Sequence, residues 1–427
     1  MLLASLRSAH AKGVEIAVLR QAPAATSLYR PLVGRVMLAL TRTCFGAVGR
    51  VPRCAGSCST VCAPTAAAAT RDDGTKGRLW LATLDMDGLL AHDRDAAGRC
   101  GARHGARGVE EPKITRQGSG ATMRAVRLRT PEGAAGLVLE ELDTPAPGAG
   151  EVLVRVHAAA ITRNELDWPV DRLPATPSYE LSGVVAALGP DVDGFQVGEA
   201  VYALTGFDRD GAAADYAVVP GAFLAPKPGT LGHVVSAAIP LAALSAWQGL
   251  FDHGRLAGGQ RVLVHGAAGG VGGFAVQLAH WRGAVVIGTA STAKVGAALQ
   301  LGADQVIDHA SARFEDLIEP VDLVFDTAGG DRLERSPAVV RPGGRLVSIA
   351  SEPPAEAAAG RGIAAVHFVV EPNGKQLVEL ARLADRGDLR VSIDEVFPLS
   401  AARAAFEHVQ GRHGAGKVVL RVAEQDS

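Results

Sequence analysis

The stretch Arg261-Val-Leu-Val-His-Gly-Ala-Ala-Gly-Gly-Val-Gly272 begins as an apolar strand, passes through a run of glycines and continues into a segment with helical spacing. Glycines three residues apart at a strand-to-helix turn let backbone amides approach a pyrophosphate, and the helix N-terminus adds a favourable dipole. The stretch predicts a dinucleotide-binding turn; the alternative is a glycine-rich turn with a structural role only. The residues predicted to contact the cofactor here are Gly266, Gly269, Gly270, Val271 and Gly272.

The chain around and after this turn alternates between short apolar strands and helical stretches. Strands are predicted at 261–265, 285–289, 305–308, 321–326, 345–349 and 366–370. Helices are predicted at 270–281, 293–301, 313–318 and 332–340. Continuous apolar strands that alternate with helices are typical of a parallel sheet covered on both faces, so we expect an α/β domain. This context makes the glycine turn a more specific signal than glycine spacing alone.

The region upstream, from Met123 to about Pro240, has a different pattern. Glu151-Val-Leu-Val-Arg-Val-His157 alternates apolar and charged residues, as a half-buried strand does, and prolines and glycines mark the turn before it. We expect a compact, mostly β domain here. The final residues do not extend the strand–helix alternation, and we expect them to pack back onto this first domain.

Residues 1–122 differ from the rest in composition. The first 70 residues contain seven arginines and a single acid, Glu15. An Arg-rich, acid-poor leader can be an organellar transit peptide. The alternative is a region translated from a misplaced start codon, because Met123 opens a well-patterned domain. We expect a low-order extension and a cytoplasmic protein, with organellar targeting as the lesser alternative.

Bulk composition limits the classes of partner and metal site. The net charge of −2 over 427 residues provides no basic field for nucleic acid, and no run of about 20 apolar residues predicts a membrane span. All five cysteines precede Met123. A thiolate metal site is therefore excluded from the patterned part of the chain, and we predict no metal.

The end of the second predicted strand indicates which dinucleotide binds. NAD-binding folds usually place a carboxylate here, which grips the adenosine 2′-hydroxyl and repels a 2′-phosphate. This chain has Gly288-Thr-Ala-Ser-Thr-Ala-Lys294 instead. Hydroxyls and a lysine in this place predict NADP(H). The predicted 2′-phosphate contacts are Ser291, Thr292, Lys294 and His309.

These motifs together resemble the zinc-free quinone oxidoreductase branch of the medium-chain dehydrogenase/reductase family. The resemblance also rests on Gly150-Glu-Val-Leu-Val-Arg-Val, Glu180-Leu-Ser-Gly-Val-Val, Gly198-Glu-Ala-Val-Tyr, Leu301-Gly-Ala-Asp, Arg341-Pro-Gly-Gly-Arg and Gly416-Lys-Val-Val-Leu. It implies a GroES-like β-rich catalytic domain, 123–240 completed by 374–427, and a doubly wound Rossmann domain, 241–373. It also implies homodimers that pair the last Rossmann strand, here His367–Val370, across a two-fold axis.

The resemblance implies further residues near the nicotinamide. Ser245 corresponds to a hydroxyl on the nicotinamide side, and the other residues implied in the cofactor cleft are Ala350, Ser351, Phe368, Val369 and Val370. Zinc-dependent relatives carry a cysteine and a histidine where this chain has Ile161–Trp168 and Pro177–Glu180, whereas Asn164-Glu-Leu-Asp167 fits the Asn-x-x-Asp stretch of the zinc-free branch.

Without a metal, charge that develops on a substrate oxygen must be met by hydrogen-bond donors, by water or by cofactor hydroxyls. Tyr179 is the candidate proton donor, Asn164 the candidate amide donor and Trp168 a stacking surface; Asp167 could orient a polar neighbour. Each could instead be structural. The predicted function is NADPH-dependent reduction of a small quinone or α,β-unsaturated carbonyl. The alternatives are an enoyl-thioester reductase and a non-catalytic NADPH-binding sensor.

Overall fold

The computed structural model describes residues 120–169, 171–411 and 416–423. The predicted N-terminal extension lies outside these residues except for its last three positions, so its nature stays a prediction. Within the described ranges, no helix is long and apolar enough to cross a membrane.

Six parallel strands of the described chain form the sheet that carries the glycine turn. They are β8 (Arg261–His265), β9 (Val285–Ala290), β10 (Gln305–Asp308), β11 (Val321–Asp326), β12 (Val340–Ser348) and β13 (Ala364–His367). Their order in the sheet is β10-β9-β8-β11-β12-β13. The order reverses between β8 and β11, as in a doubly wound dinucleotide-binding fold, and ligands of such sheets bind at the carboxyl ends of the strands beside this reversal.

Helices cover the sheet because its strands are apolar on both faces. Those that accompany it are α2 (Pro240–Trp247), α3 (Gly270–Trp281), α4 (Val295–Gln300), α5 (Asp331–Arg335) and α6 (Ala355–Gly360). Eight of the twelve residues of α3 are buried. The main core joins α2 and α3 to β8, β9 and β11.

The second sheet is built largely from antiparallel strands. Its strands are β3 (Glu151–Ile161), β4 (Glu180–Leu188), β5 (Ala200–Leu204), β6 (Tyr216–Pro220), β7 (Leu224–Pro226), β14 (Ile393–Pro398) and β15 (Lys417–Arg421). A separate hairpin pairs β1 (Thr122–Leu128) with β2 (Leu137–Asp143). The remaining helices are α1 (His233–Ala237), α7 (Gly374–Asp385) and α8 (Ala402–Gly411).

The C-terminal strands complete this second sheet. β15 lies antiparallel to β3, with Val418 opposite Ile161, and β14 lies parallel to β15. The chain therefore leaves the first domain after α1, forms the parallel sheet and returns to the first domain at its end. The architecture is a GroES-like sheet domain with a Rossmann-like parallel-sheet domain, as the sequence predicted.

The last parallel strand differs from its predicted range. β13 ends at His367, whereas the sequence predicted a strand through Val370. The ring of Phe368 instead packs 4.4 Å from that of His253, and Val369 is 67% exposed. A short apolar run does not distinguish a strand from a packed connection, and here packing against the segment after α2 takes the chain out of the sheet.

Candidate active site

The glycine turn folds tightly at the carboxyl end of β8. Gly266 has φ = +75°, a left-handed conformation that favours glycine. A side-chain carbon on Gly272 would overlap the carbonyl oxygen of Gly266. The start of α3 is thus seated directly on the turn, and the two glycines are required by this close approach.

The first turn of α3 presents backbone amides to the strand ends. The amides of Gly270, Val271 and Gly272 have no partner within the helix because of their position. Gly269, the residue before the helix, provides no side-chain cap. An uncapped N-terminus on a twelve-residue helix, lined by glycine, fits a diphosphate.

The predicted 2′-phosphate residues lie beside the end of β9. Ser291 and Lys294 border a short helical turn there and are half-buried. The Thr292 hydroxyl donates to the carboxylate of Asp308 over 2.7 Å, and this hydrogen bond holds the pKa of Asp308 below its usual value. The sequence analysis missed this carboxylate. Thr292, one of the predicted phosphate donors, already donates its hydroxyl hydrogen to it.

His309 lines a small cavity of about 130 Å³ under the ends of β9 and β10. The other lining residues are Thr289, Ile307, Ala312, Phe314, Asp331, Arg332 and Arg335. Arg335 pairs with Glu315 and Asp331, whereas Nε of Arg332 is buried without a hydrogen-bond partner in the described structure. Because the arginines lie more than 20 residues beyond His309, local sequence motifs did not indicate them.

The residues implied at the nicotinamide end come from three segments. Ser245 is buried in α2, and its hydroxyl donates to the Leu241 carbonyl oxygen over 2.7 Å. The amides of Ala350 and Ser351 donate to the Ser348 hydroxyl at the end of β12. Phe368 and Val370 are buried, whereas Val369 faces solvent, so these three residues do not share one surface.

The predicted catalytic aromatics lie together in the β-rich domain. Tyr179 and Trp168 have ring centroids 5.6 Å apart, and Phe207, which the sequence analysis missed, lies 5.3 Å from Tyr179 and 5.2 Å from Trp168. Arg172 donates to the Tyr179 hydroxyl over 2.9 Å. Burial raises the pKa of Tyr179 to about 12.

Asn164 and Asp167 lie on the short helical turn that follows β3, and both are exposed. Glu165 lies between them in the chain and has a structural role, because it is fully buried. Its carboxylate accepts the amides of Thr162 and Ser178, while burial raises its pKa to about 8. Ser178 has φ = +71°, so Glu165 fixes a strained loop directly before Tyr179.

Comparison with known proteins identifies the family. Residues 148–229 match the alcohol dehydrogenase GroES-like domain, and residues 301–420 match the zinc-binding dehydrogenase family. The chain is 33% identical over 324 residues to the probable zinc-binding oxidoreductase, mitochondrial, of Arthroderma benhamiae, a match that covers 70% of this chain and 97% of that protein. The chain belongs to the medium-chain dehydrogenase/reductase family, in its quinone oxidoreductase-like group.

Two further members of this family bear on the site. The NADPH-dependent alkenal/one oxidoreductase, chloroplastic, of Arabidopsis thaliana is 34% identical over 295 residues, covering 63% of this chain and 72% of that one. The solved quinone oxidoreductase of Coxiella burnetii superposes with a TM-score of 0.67 and 30% identity, over 71% of this chain and all of that chain. The present chain is an oxidoreductase of the same family.

The names of some relatives in the family imply zinc, and the residues that the structure describes do not fit that metal. In the described residues, no three His, Cys, Asp or Glu side chains come together as a set of ligands. Zinc sites use at least three such protein ligands. No step of a reaction is therefore assigned to zinc here.

Proposed function

We propose that this oxidoreductase uses NADPH, without zinc, to reduce a quinone or an α,β-unsaturated carbonyl compound. The observation that carries the cofactor assignment is the uncapped N-terminus of α3, set on a glycine turn that no larger residue can form. The substrate class is supported by relatives named for alkenal/one and quinone reduction. When bound, the reduced nicotinamide supplies a hydride to the far carbon of the conjugated system.

The preference for NADPH is proposed from the end of β9. β9 and the turn that follows it contain no acidic residue of their own, and Ser291 and Lys294 border the position that the adenosine ribose takes in this fold. Arg332 and His309 add donors around the neighbouring cavity. The negative charge of Asp308 repels a bound 2′-phosphate. The attraction of the cationic side chains to the phosphate must therefore exceed this repulsion.

The β-rich domain is proposed to orient the acceptor. Trp168 and Phe207 provide flat apolar faces next to Tyr179. Tyr179 remains the proposed proton donor, with its oxygen held by Arg172. Asn164 is proposed to donate its amide to the acceptor and Asp167 to orient a polar neighbour, because both lie on the exposed turn after β3.

The test is steady-state oxidation of NADPH and NADH with a para-quinone, an aliphatic enone, a saturated ketone and an enoyl-CoA thioester. We expect turnover of the quinone or the enone with NADPH, unchanged after treatment with a metal chelator. Preference for the thioester would favour the enoyl-thioester alternative. NADPH binding by fluorescence titration without turnover of any acceptor would favour the sensor.

The homodimer is proposed on the edge position of β13, which ends the six-stranded sheet and leaves one side open to pairing. Light scattering on the purified protein tests it, and a monomeric mass at micromolar concentration would contradict it. Cytoplasmic location stays a prediction; the Arthroderma relative is named as mitochondrial.

A further inference from the structure

Three neighbouring strands of the β-rich domain have a polar residue at the same end of the sheet. β3 ends at Ile161, directly before Thr162; β4 begins at Glu180 and β15 begins at Lys417. The register places Val418 opposite Ile161 and Glu180 opposite Ala160. Thr162, Glu180 and Lys417 therefore meet at one end of the sheet, and we refer to them as the strand-end cluster.

The lysine and the glutamate of this cluster are a buried ion pair. Nζ of Lys417 donates to Oε1 of Glu180; Glu180 is fully buried and Lys417 is 8% exposed. Oε2 of Glu180 accepts the backbone amide of Leu241 over 2.9 Å. Both carboxylate oxygens are thus engaged, and the ammonium group is held in one place.

The ammonium group also donates to Oγ1 of Thr162 over 3.2 Å. A lysine ammonium has only donors, so the threonine oxygen must be the acceptor of this bond. The hydroxyl proton of Thr162 must then point to a different partner, because among the described residues the hydrogen bond at its Oγ1 is the one received from Lys417. Thr162 is half-buried, so part of its surface is accessible.

The strand-end cluster lies against the glycine turn. A side-chain carbon built on Gly270, the first residue of α3, would be 4.0 Å from Cδ of Lys417. The Leu241 amide that binds Glu180 belongs to α2, the helix that also carries Ser245. The Thr162 hydroxyl, which accepts a hydrogen bond from a fixed cation, therefore lies where the β-rich domain meets the dinucleotide turn.

We propose that the Thr162 hydroxyl donates a hydrogen bond to the acceptor oxygen on which negative charge develops, and that Lys417 strengthens this bond by polarising the hydroxyl. This inference rests on the proposed function. Addition of a hydride to the far carbon moves the π electrons onto the carbonyl oxygen, and the resulting enolate is protonated in a separate step by the donor proposed above, Tyr179. Thr162 thus stabilises charge and gives up no proton.

The arrangement supplies what a metal-free site needs. A preorganised donor aimed at a developing oxyanion contributes about 10²- to 10³-fold to kcat. A bond accepted from a charged group makes the hydroxyl a better donor, because hydrogen bonds in a chain polarise one another. Tyr179 is fully buried, whereas Thr162 is half-buried.

Kinetics of two matched variants test the role of the hydroxyl. Thr162→Val removes the hydroxyl and keeps the shape, and Thr162→Ser keeps the hydroxyl. We expect Thr162→Val to lower kcat about 100-fold with NADPH affinity within about twofold, and Thr162→Ser to stay within about fivefold of the wild type. Thr130→Val, an exposed site before the first helical turn, is the control for loss of a threonine hydroxyl elsewhere.

Binding of para-nitrophenolate gives a readout that does not require turnover. Its charged oxygen on a conjugated ring imitates the charged product, and its absorbance reports ionisation. We expect the oxidised-cofactor complex of the wild type and of Thr162→Ser to bind it at least about tenfold more tightly than that of Thr162→Val.

The outcomes separate the two proposals. A Thr162→Val protein with wild-type kcat and phenolate affinity overturns the role of Thr162, while wild-type turnover upholds the proposed function. Equal losses in Thr162→Val and Thr162→Ser also overturn it, because the hydroxyl would then not be the cause. If the wild type turns over no acceptor, the proposed function fails, and the phenolate titration alone decides whether Thr162 binds an oxyanion.

Discussion

The glycine turn and the strand-end cluster face each other, yet they hold their groups in opposite ways. The turn offers backbone amides, and its geometry depends on the absence of side chains within one stretch of seven residues. The cluster offers side chains, and it depends on three residues separated by up to 255 positions in the chain. The glycine turn should therefore tolerate no added side chain, and the strand-end cluster should tolerate no loss of a bonded side chain.

The largest expected effect is in the strand-end cluster. Lys417→Met leaves the fully buried Glu180 without its cation, which costs about 3–5 kcal/mol of unfolding free energy. Adding Glu180→Gln should recover most of this loss. Urea unfolding measures both. The exposed pair Arg382–Glu379 is the control, and Arg382→Ala should cost less than about 0.5 kcal/mol. Equal costs for the buried and exposed pairs would contradict the comparison.

The next effect is in the glycine turn. Gly272→Ala places a methyl group on the Gly266 carbonyl oxygen, and we expect a loss of about 1–3 kcal/mol of stability together with weaker binding of NADPH. Gly296→Ala in α4 meets no atom within 4 Å and should be neutral or slightly stabilising. Thermal unfolding and fluorescence titration with NADPH distinguish the two variants. A Gly272→Ala protein that binds NADPH with wild-type affinity would show that the turn can accommodate a methyl group.

A smaller effect is expected at the adenosine end. Lys294→Glu should weaken NADPH about tenfold and NADH less than about twofold, because only NADPH carries the charged 2′-phosphate. Lys375→Glu, an equal charge change on the exposed start of α7, is the control and should change neither affinity. Parallel titrations decide the matter. Equal losses for both cofactors at Lys294 would show that the 2′-phosphate lies elsewhere.

The last expected effect depends on pH and concerns His265, a buried side chain at the end of β8, directly before the turn. His265 bonds Thr289 and Ser336 through its two ring nitrogens, and burial lowers its pKa to about 3. The unfolded chain binds a proton near pH 6.5 and the folded chain does not, so stability falls as pH decreases below 6.5. The slope is about 1.4 kcal/mol per pH unit at most.

Urea unfolding between pH 7 and 5 measures this slope. His265→Gln should change the slope by up to about 1.4 kcal/mol per pH unit, although the variant is less stable at pH 7. His233, whose pKa burial lowers to about 4, and Glu165, whose pKa burial raises to about 8, keep their own contributions. His280→Gln, at an exposed position of α3, should leave the slope unchanged. A slope in His265→Gln equal to that of the wild type would assign the acid sensitivity to other groups.

These differences also explain what the sequence could predict. The range of α3 and the ends of β8, β10 and β11 follow from local apolar runs and glycines, and the structure confirms them. The end of β13 was wrong because Phe368 and Val370 are buried by packing and not by strand pairing. Local signals specify local structure, and tertiary packing decides the rest.

The site shows the same division. The glycine turn could be predicted from the sequence because all its residues are adjacent in the chain. Glu165, Arg172 and Phe207 were missed because their importance comes from contacts made only in the folded state. Lys417 was noticed only within an apolar motif, and nothing local indicates that it would meet Thr162, which lies 255 positions earlier in the chain. The catalytic roles of Tyr179 and Asn164 stay predictions.

The position of β15 as the last strand has a consequence during synthesis. Lys417 leaves the ribosome some 237 residues after Glu180, long after the parallel sheet has been made. Until then the partly made chain keeps a carboxylate without its counter-ion, and the second half of β3, Ala158–Ile161, lacks its partner strand. The β-rich sheet is therefore completed only after the parallel sheet has been synthesised.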